Sequence, residues 1–470
     1  MNLKTKHPSI SLNPLLAILA LLSLAACQAV QTPSPTPTSP PIFTNTPTGT
    51  PTATITPTFT FTPTFTMTPS PIPSPTSEGP MPTFSPKGKR PLLLAHYMPW
   101  YQTPAVSGAW GYHWTMNHFN PTQNADGRWK DLASHNIPLT GPYDSNDPAV
   151  LEYQMMLMKL SGIDGVIVDW YGIEDFWDYG TINTSTKALF AAVKKAGLKF
   201  VICYEDQTIK HMLDENQLKA DEAIPHAQKV MAYLQSTWFN DPAYLKVSGR
   251  PLLFNFGPQY FKQDADWTAV FSKSSPPPLL ITLDNIIGPS SPAAFPWPPM
   301  WASQSGILST DLLQGYLDSF YLKASAWPIH VGGAFPGFHD IYKEAGVGEG
   351  YGFLDARDGR TFRLTLQTAL DHQPEMIQLI TWNDYGEGTV IEPTVEFEYR
   401  YLEILQELNG VFTGGKFAYT AEDLRLPLKL YQLRLKAAQD KTTAARLDQA
   451  VQALFFGDLT AARSLAGSNP

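Results

Sequence analysis

The chain has 470 residues, a formal net charge of −9 and 12% aromatic residues, with 12 Trp, 20 Tyr and 25 Phe. The acidic balance argues against nucleic acid as a main partner, and two cysteines, Cys27 and Cys203, exclude a disulfide-built fold. The length is ample for one large domain with its own core, and the aromatic content suits apolar sugar faces as well as an ordinary interior.

Lys4 and Lys6 lead the apolar run Leu15–Leu22, which is too short to span a bilayer as a stable helix. It ends in Leu24-Ala25-Ala26-Cys27, small residues before a cysteine that resemble a bacterial lipobox. The expectation is a lipoprotein signal peptide over 1–27, with lipid on Cys27 anchoring an extracytoplasmic protein to a bacterial cell envelope. The alternative is an ordinary signal peptide with a chance cysteine. Residues 28–88 then read as a disordered Pro/Thr-rich linker. Between Gln28 and Pro86 lie 16 of the 43 prolines and a single charge, Glu78. Such a segment cannot build a core. At about 3.1 Å per residue in polyproline II it could reach roughly 180 Å.

From residue 89 short apolar runs alternate with helical stretches, the pattern of βαβ units around a parallel sheet. Eight strands are expected: Leu92–Tyr97, Gly165–Trp170, Lys199–Tyr204, Pro251–Phe256, Leu279–Asp284, Phe295–Trp301, His330–Pro336 and Met376–Thr381. The sixth is the poorest, with three prolines. Helices are expected near Pro148–Leu160, Thr184–Lys195, Ala223–Thr237, Thr310–Lys323 and Arg363–Asp371. The fold class is α/β, a (β/α)8 TIM barrel over 89–410. An open doubly wound sheet is the alternative, but no glycine-rich phosphate turn follows the first strand. Cys203, inside an apolar strand, reads as packing rather than a nucleophile.

In a barrel, function collects where the strands end. The first strand runs into His96-Tyr97-Met98-Pro99-Trp100-Tyr101 and the second into Asp169-Trp170-Tyr171. The third runs into Glu205 and Asp206, the sixth ends at Trp301, and His339 follows the seventh. Polar and aromatic residues at one end of nearly every strand make Tyr97, Trp100, Tyr101, Asp169, Trp170, Tyr171, Glu205, Asp206, Trp301 and His339 candidate substrate contacts. For Glu205 and Asp206 the competing reading is a salt bridge to a barrel Lys or Arg. A carboxylate here could also raise the pKa of a nearby acid by repulsion.

The eighth strand breaks into Trp382-Asn383-Asp384-Tyr385-Gly386-Glu387-Gly388. Two glycines in three residues permit a sharp turn. Asp384 and Glu387, three apart, can aim into one cavity, as acid/base work on a glycosidic bond requires: one carboxyl protonated, the other ionised. The plainer reading is an Asx turn at Asp384 and a helix cap at Glu387. Trp382 and Asn383 join the candidate contacts. His113 and His118, or His330 and His339, lack H-E-x-x-H spacing, so no metal or other cofactor is expected.

W-N-D-Y-G-E resembles the catalytic loop of glycoside hydrolase family 71, the α-1,3-glucanases. Its continuation G-T-V-I-E-P is similar to that of family 99, the endo-α-mannosidases. H-Y-M-P-W-Y at 96–101, G-I-D-G-V-I-V-D-W-Y-G at 162–172 and Gly141–Ser145 also resemble family 99. The resemblance spans about residues 90–410 and implies that Asp384 and Glu387 are the catalytic pair. Position 384 is Asp, as in family 71, where family 99 has Glu.

After Asn409, two amphipathic helices, Leu426–Ala438 and Thr442–Leu454, form a helical extension over 411–470. The expected function is endo-hydrolysis of α-linkages in a mannan or glucan, with a polysaccharide or oligosaccharide as partner alongside the membrane. A non-catalytic glycan-binding lipoprotein on the same barrel is the main rival, and an envelope spacer a second; the oligomeric state is not legible.

Overall fold

The computed structural model describes residues 81–303, 306–437 and 440–467. The lipobox with Cys27 and nearly all of the Pro/Thr-rich segment lie outside the described residues.

Eight parallel strands form a nearly closed barrel: β1 Leu92–Tyr97, β2 Gly165–Trp170, β3 Lys199–Tyr204, β4 Arg250–Asn255, β5 Leu279–Leu283, β6 Ala293–Phe295, β7 Val331–Ala334 and β8 Met376–Leu379. The hydrogen-bonded order is β7-β8-β1-β2-β3-β4-β5-β6. The strands are near-continuous apolar runs because both their faces are covered. β1 pairs on both sides, with Leu92 opposite Met376 on β8 and Leu94 opposite Gly165 on β2.

The seam lies between β6 and β7. The sixth strand was expected at Phe295–Trp301, but pairing stops at Phe295. Pro296, Pro298 and Pro299 have no N–H to offer a ladder. The seam closes by packing instead. A Cβ added at Gly333 of β7 would lie 2.7 Å from the Pro296 ring, so only glycine lets the two backbones meet there. β5 and β6 are joined by residues 284–292 without a helix, unlike the expected regular alternation.

The helices surround the barrel: α1 Pro148–Ser161, α2 Tyr179–Ala196, α3 Gln207–Asp214, α4 Ala223–Leu234, α5 Asp264–Phe271, α6 Thr310–Ala324, α7 Arg360–Asp371 and α8 Arg400–Phe412. α1 starts where Asp147 accepts from the Ala149 N–H with Pro148 in the first turn, the capping chemistry its sequence offers. Packing begins at Phe84, buried beneath the Arg363 guanidinium at 4.6 Å, a few residues before the expected start. The C-terminal extension holds three helices, α9 Leu426–Lys436, α10 Lys441–Phe455 and the unforeseen α11 Leu459–Leu465. α9 lies on the outside of α1, with Arg434 paired to Glu152 at 2.8 Å and Tyr431 against Tyr153 at 5.7 Å.

Candidate active site

A cavity of about 420 Å³, open solvent at its mouth included, lies at the C-terminal ends of the strands. Every strand but β5 contributes to its wall. β1 and its loop give His96, Met98 and Trp100; β2 gives Asp169 and Tyr171; β3 gives Glu205. Phe256 follows β4, Trp297 follows β6, Tyr342 follows β7, and Asp384 and Glu387 follow β8.

The segment after β8 is a closed loop. The Thr381 N–H donates to Thr389 O at 2.7 Å, and the Ile391 and Glu392 N–H groups return to Thr381 O and Trp382 O at 3.0 Å. Asn383 clamps it to the β1 loop, accepting from Met98 N–H at 2.8 Å and donating to Met98 O at 3.0 Å. The Tyr101 hydroxyl donates to Asn383 O and accepts from Tyr385 N–H. Gly388 turns back with φ +67; a Cβ there would lie 2.7 Å from His339 O.

On this frame both readings of Asp384 hold at once. Its Oδ1 accepts the Glu387 N–H at 3.1 Å, a local turn bond, and its carboxyl also lines the cavity with that of Glu387. Burial raises the Asp384 pKa to about 6. Burial, then the negative charges of Asp384 and Asp340, push Glu387 well above the ordinary glutamate range. Tyr342 donates to Glu387 Oε1 at 3.4 Å, while Oε2 is buried with no partner. A carboxyl whose burial and neighbours favour its protonated form, three residues from a second carboxyl, is an arrangement suited to glycosidic cleavage.

A second carboxyl pair lines the same cavity. Asp169 sits against Glu205 and Tyr171, and burial carries it to about 7. Glu205 is raised by burial, then by Asp169 and Asp206. Among the described residues no Lys or Arg lines the cavity. Four carboxyls without a cation cannot all ionise, so protons stay in the pocket at neutral pH. The carboxylate that reinforces Glu387 beside Asp384 is Asp340, not Glu205 as the order of strands suggested.

The remaining sequence candidates stand behind the wall. Tyr97 is buried and donates to Gln154 at 2.6 Å. Tyr101 and Asn383 hold the loop, and Trp382 is buried beneath it. Trp170 faces Asn183 and stacks on Tyr233. Their strand-end positions were read correctly, but alternation turns neighbouring side chains to opposite faces. Asp206 neither lines the cavity nor makes the alternative salt bridge; it accepts the N–H groups of Gln259, Tyr260 and Phe261 and shapes the loop after β4. Trp301 is 48% exposed on a short helical turn against Tyr316, because β6 ended six residues earlier. His339 stacks on His135 at 3.7 Å, away from the cavity.

Sequence reading passed over His96, Met98, Phe256, Trp297 and Tyr342 as wall residues. It also passed over Glu392, which lies within the G-T-V-I-E-P run. Glu392 is 1% exposed and accepts from Tyr143 Oη at 2.7 Å, Tyr385 Oη at 2.9 Å and Gln154 Nε2 at 2.8 Å. Burial raises it to about 7. Its proline neighbour and the alternation of the run were the available signals.

His96, Asp169 and Cys203, on three adjacent strands, bring possible metal-ligand atoms within 4.8 Å of one another. His96 Nδ1 already accepts from Gln378 at 2.8 Å, and burial holds its pKa down to about 3 and pushes the Cys203 thiol up. The trio reads as barrel packing.

A family model described as glycosyl hydrolase family 99 matches residues 90–279. A structure of the GH99 endo-alpha-mannosidase from Bacteroides thetaiotaomicron superposes with a TM-score of 0.50 at 19% identity, covering 70% of this chain and 99% of that one. This chain is a family 99-like glycoside hydrolase. Among curated relatives, the glycoprotein endo-alpha-1,2-mannosidase of Mus musculus is 20% identical over 385 residues, 70% of this chain and 77% of that protein. A glycoprotein endo-alpha-1,2-mannosidase-like protein of Danio rerio is 24% identical over 335 residues, 64% of this chain and 70% of that protein. The family model spans β1 to β4 and ends at the first residue of β5, while the carboxylate loop of this hydrolase comes from β8.

Proposed function

We propose that the enzyme cleaves internal α-mannosidic linkages, with Glu387 as general acid and Asp384 as base. The observation that carries the assignment is the pair itself: two buried carboxyls three residues apart, both lining the cavity, with burial and neighbouring charge favouring the protonated form of Glu387. Glu387 gives its proton to the leaving glycosidic oxygen. Asp384 takes the proton of the sugar's 2-OH, whose oxygen attacks C1 as the linkage breaks. Water then opens the 1,2-anhydro ring, Asp384 returning a proton to O2 and Glu387 receiving one from water, and the anomer is retained.

The stereochemistry favours mannan over glucan. In an α-mannoside O1 and O2 are both axial on opposite faces, so O2 can attack C1 from behind the leaving group. In an α-glucoside O2 is equatorial and cannot. The names of the relatives, endo-alpha-1,2-mannosidases, point to the same sugar.

The test is a reducing-end assay on α-mannan and on α-1,3-glucan, with NMR of the first anomer released. Cleavage of mannan with retention is expected. Cleavage of glucan alone, with inversion, would make Asp384 an activator of water as in family 71. Binding without cleavage of either would leave a glycan-binding barrel.

We also propose that Cys27 carries lipid and that residues 28–88 act as a spacer holding the barrel away from the bacterial envelope. Palmitate labelling that is lost in Cys27→Ala supports this; labelling that persists overturns it.

A further inference from the structure

Between β2 and α2 the chain leaves the pocket wall at Tyr171 and reaches the surface at Trp177. The rings in between form a continuous track. Tyr171 stacks on Tyr179 at 5.1 Å and 23°, Tyr179 meets the edge of Trp177 at 5.6 Å, and Trp177 stacks on Phe176 at 4.4 Å and 27°.

Trp177 is 37% exposed, and its backbone has φ 51, in the left-handed region that a bulky residue rarely adopts. It is held there from both sides. Asp178 pairs with His113 Nε2 at 3.3 Å, and His113 stacks flat on Trp100 of the pocket wall, 4.1 Å away at 5°. On the other side the Tyr179 hydroxyl bonds His211 Nδ1 at 2.8 Å, and the His211 ring lies 5.1 Å from Trp177. Each neighbour of Trp177 is thus bolted to a residue that touches the cavity or braces one that does. An indole presented to water on a strained backbone adds little to the core. Its fixed position beside the cleft requires another account.

We propose that Trp177 is an outer sugar platform, stacking its exposed face on a hexopyranose unit of the substrate chain one or more residues from the cleaved linkage. This rests on the endo-glycosidase reading. An endo-acting enzyme holds units beyond the reacting ring, and the cavity wall turns outward along this aromatic track. The ligand class is the apolar C–H face of a pyranose in an oligosaccharide or polysaccharide, which a tryptophan face accommodates irrespective of linkage.

The experiment compares full-length wild type, Trp177→Ala and Trp177→Phe on a ladder of α-manno-oligosaccharides and on α-mannan, with calorimetric binding of the same ladder to Glu387→Gln and to Glu387→Gln/Trp177→Ala. For the shortest cleaved oligosaccharide, Trp177→Ala is expected within twofold of wild type. For long chains kcat/KM falls about tenfold, mostly in KM, and Trp177→Phe restores most of it. Equal loss at every length, or no loss at any, overturns the platform. If wild type cleaves nothing but length-dependent binding disappears with Trp177, the platform stands and the hydrolase reading falls. If neither cleavage nor binding is seen, both fall.

Discussion

Replacing Glu392 by Leu tests whether a carboxyl that never touches the cavity organises the catalytic loop. Glu392 accepts three side-chain hydrogen bonds, from Tyr143, Tyr385 and Gln154, and no cation pairs with it among the described residues. Leucine would leave three buried donors unpaired, at about 1–3 kcal/mol each. A loss of roughly 3–6 kcal/mol in denaturant unfolding is expected. Glutamine behaves differently. Its carbonyl can take both tyrosines, and its amide can meet Gln154 if that side chain turns over, with the Tyr97 hydroxyl becoming the acceptor. Glu392→Gln should therefore fold with a loss of about 1 kcal/mol at mildly acidic pH. The two variants also differ in pH response. The folded pKa of Glu392, about 7, lies above the ordinary glutamate value of 4.5, so its protonated form stabilises the fold. That contribution is complete below pH 4.5 and is lost as pH rises through 7, on the order of 3 kcal/mol. Relative to wild type, Glu392→Gln should gain stability by about that amount between pH 4.5 and 8. Because Tyr143 also accepts from Asn383 Nδ2 at 3.0 Å, and Asn383 clamps Met98, kcat should fall more than KM changes in Glu392→Leu. A Glu392→Leu protein within 1 kcal/mol of wild type, with unchanged kcat, would refute the argument.

Four further outcomes follow. Glu387→Gln should lower kcat by at least about a thousandfold while substrate binding persists; intact turnover would remove Glu387 from the acid role. The pH profile of kcat/KM should rise through about 6 as Asp384 ionises and fall only above the raised pKa of Glu387, so a profile falling from pH 5 upward contradicts the assignment. Tyr342→Phe removes a side-chain donor to Glu387 Oε1, whose bond favours the ionised form; the alkaline limb should move upward, and a downward move would mean that the bond favours the acid. Gly388→Ala, with a Cβ 2.7 Å from His339 O at φ +67, should cost about 2–4 kcal/mol of stability on thermal unfolding.

The barrel was legible because buried parallel strands leave uninterrupted apolar runs, and β1, β2 and β3 fall where those runs begin and end. β6 was misplaced since an apolar stretch containing prolines looks like a strand to hydrophobicity but not to hydrogen bonding. The site was legible at the level of loops, not side chains. Asp169 and Tyr171 face the cavity while Trp170 between them faces Tyr233, a difference that follows from the pleat and the register with Lys199–Tyr204. Trp297 and Tyr342 gave no signal, since one lies among prolines and the other in a loop whose path is set by backbone bonds such as Ile341 N–H to Gly386 O.

The acid in this pocket is made by exclusion rather than by a dedicated partner. A salt-bridged Glu387 would ionise readily and could not protonate a leaving group. Here the wall around it holds aromatic rings, His96 kept neutral and three other carboxyls, so burial and repulsion outweigh the hydrogen bonds of Tyr342 and Trp297 that favour its charge. Asp384 differs from it by the N–H groups of its own turn. Burial raises Asp384, and the N–H of Glu387, the neighbouring His113 and the N–H of Gly386 favour its charged form and limit the rise to about 6. One tight turn, Asp384-Tyr385-Gly386-Glu387, therefore both places the two carboxyls together and separates their proton affinities. The Glu387 N–H that closes the turn is the one that Asp384 accepts, so the local turn bond and the proposed catalytic role share one piece of chemistry.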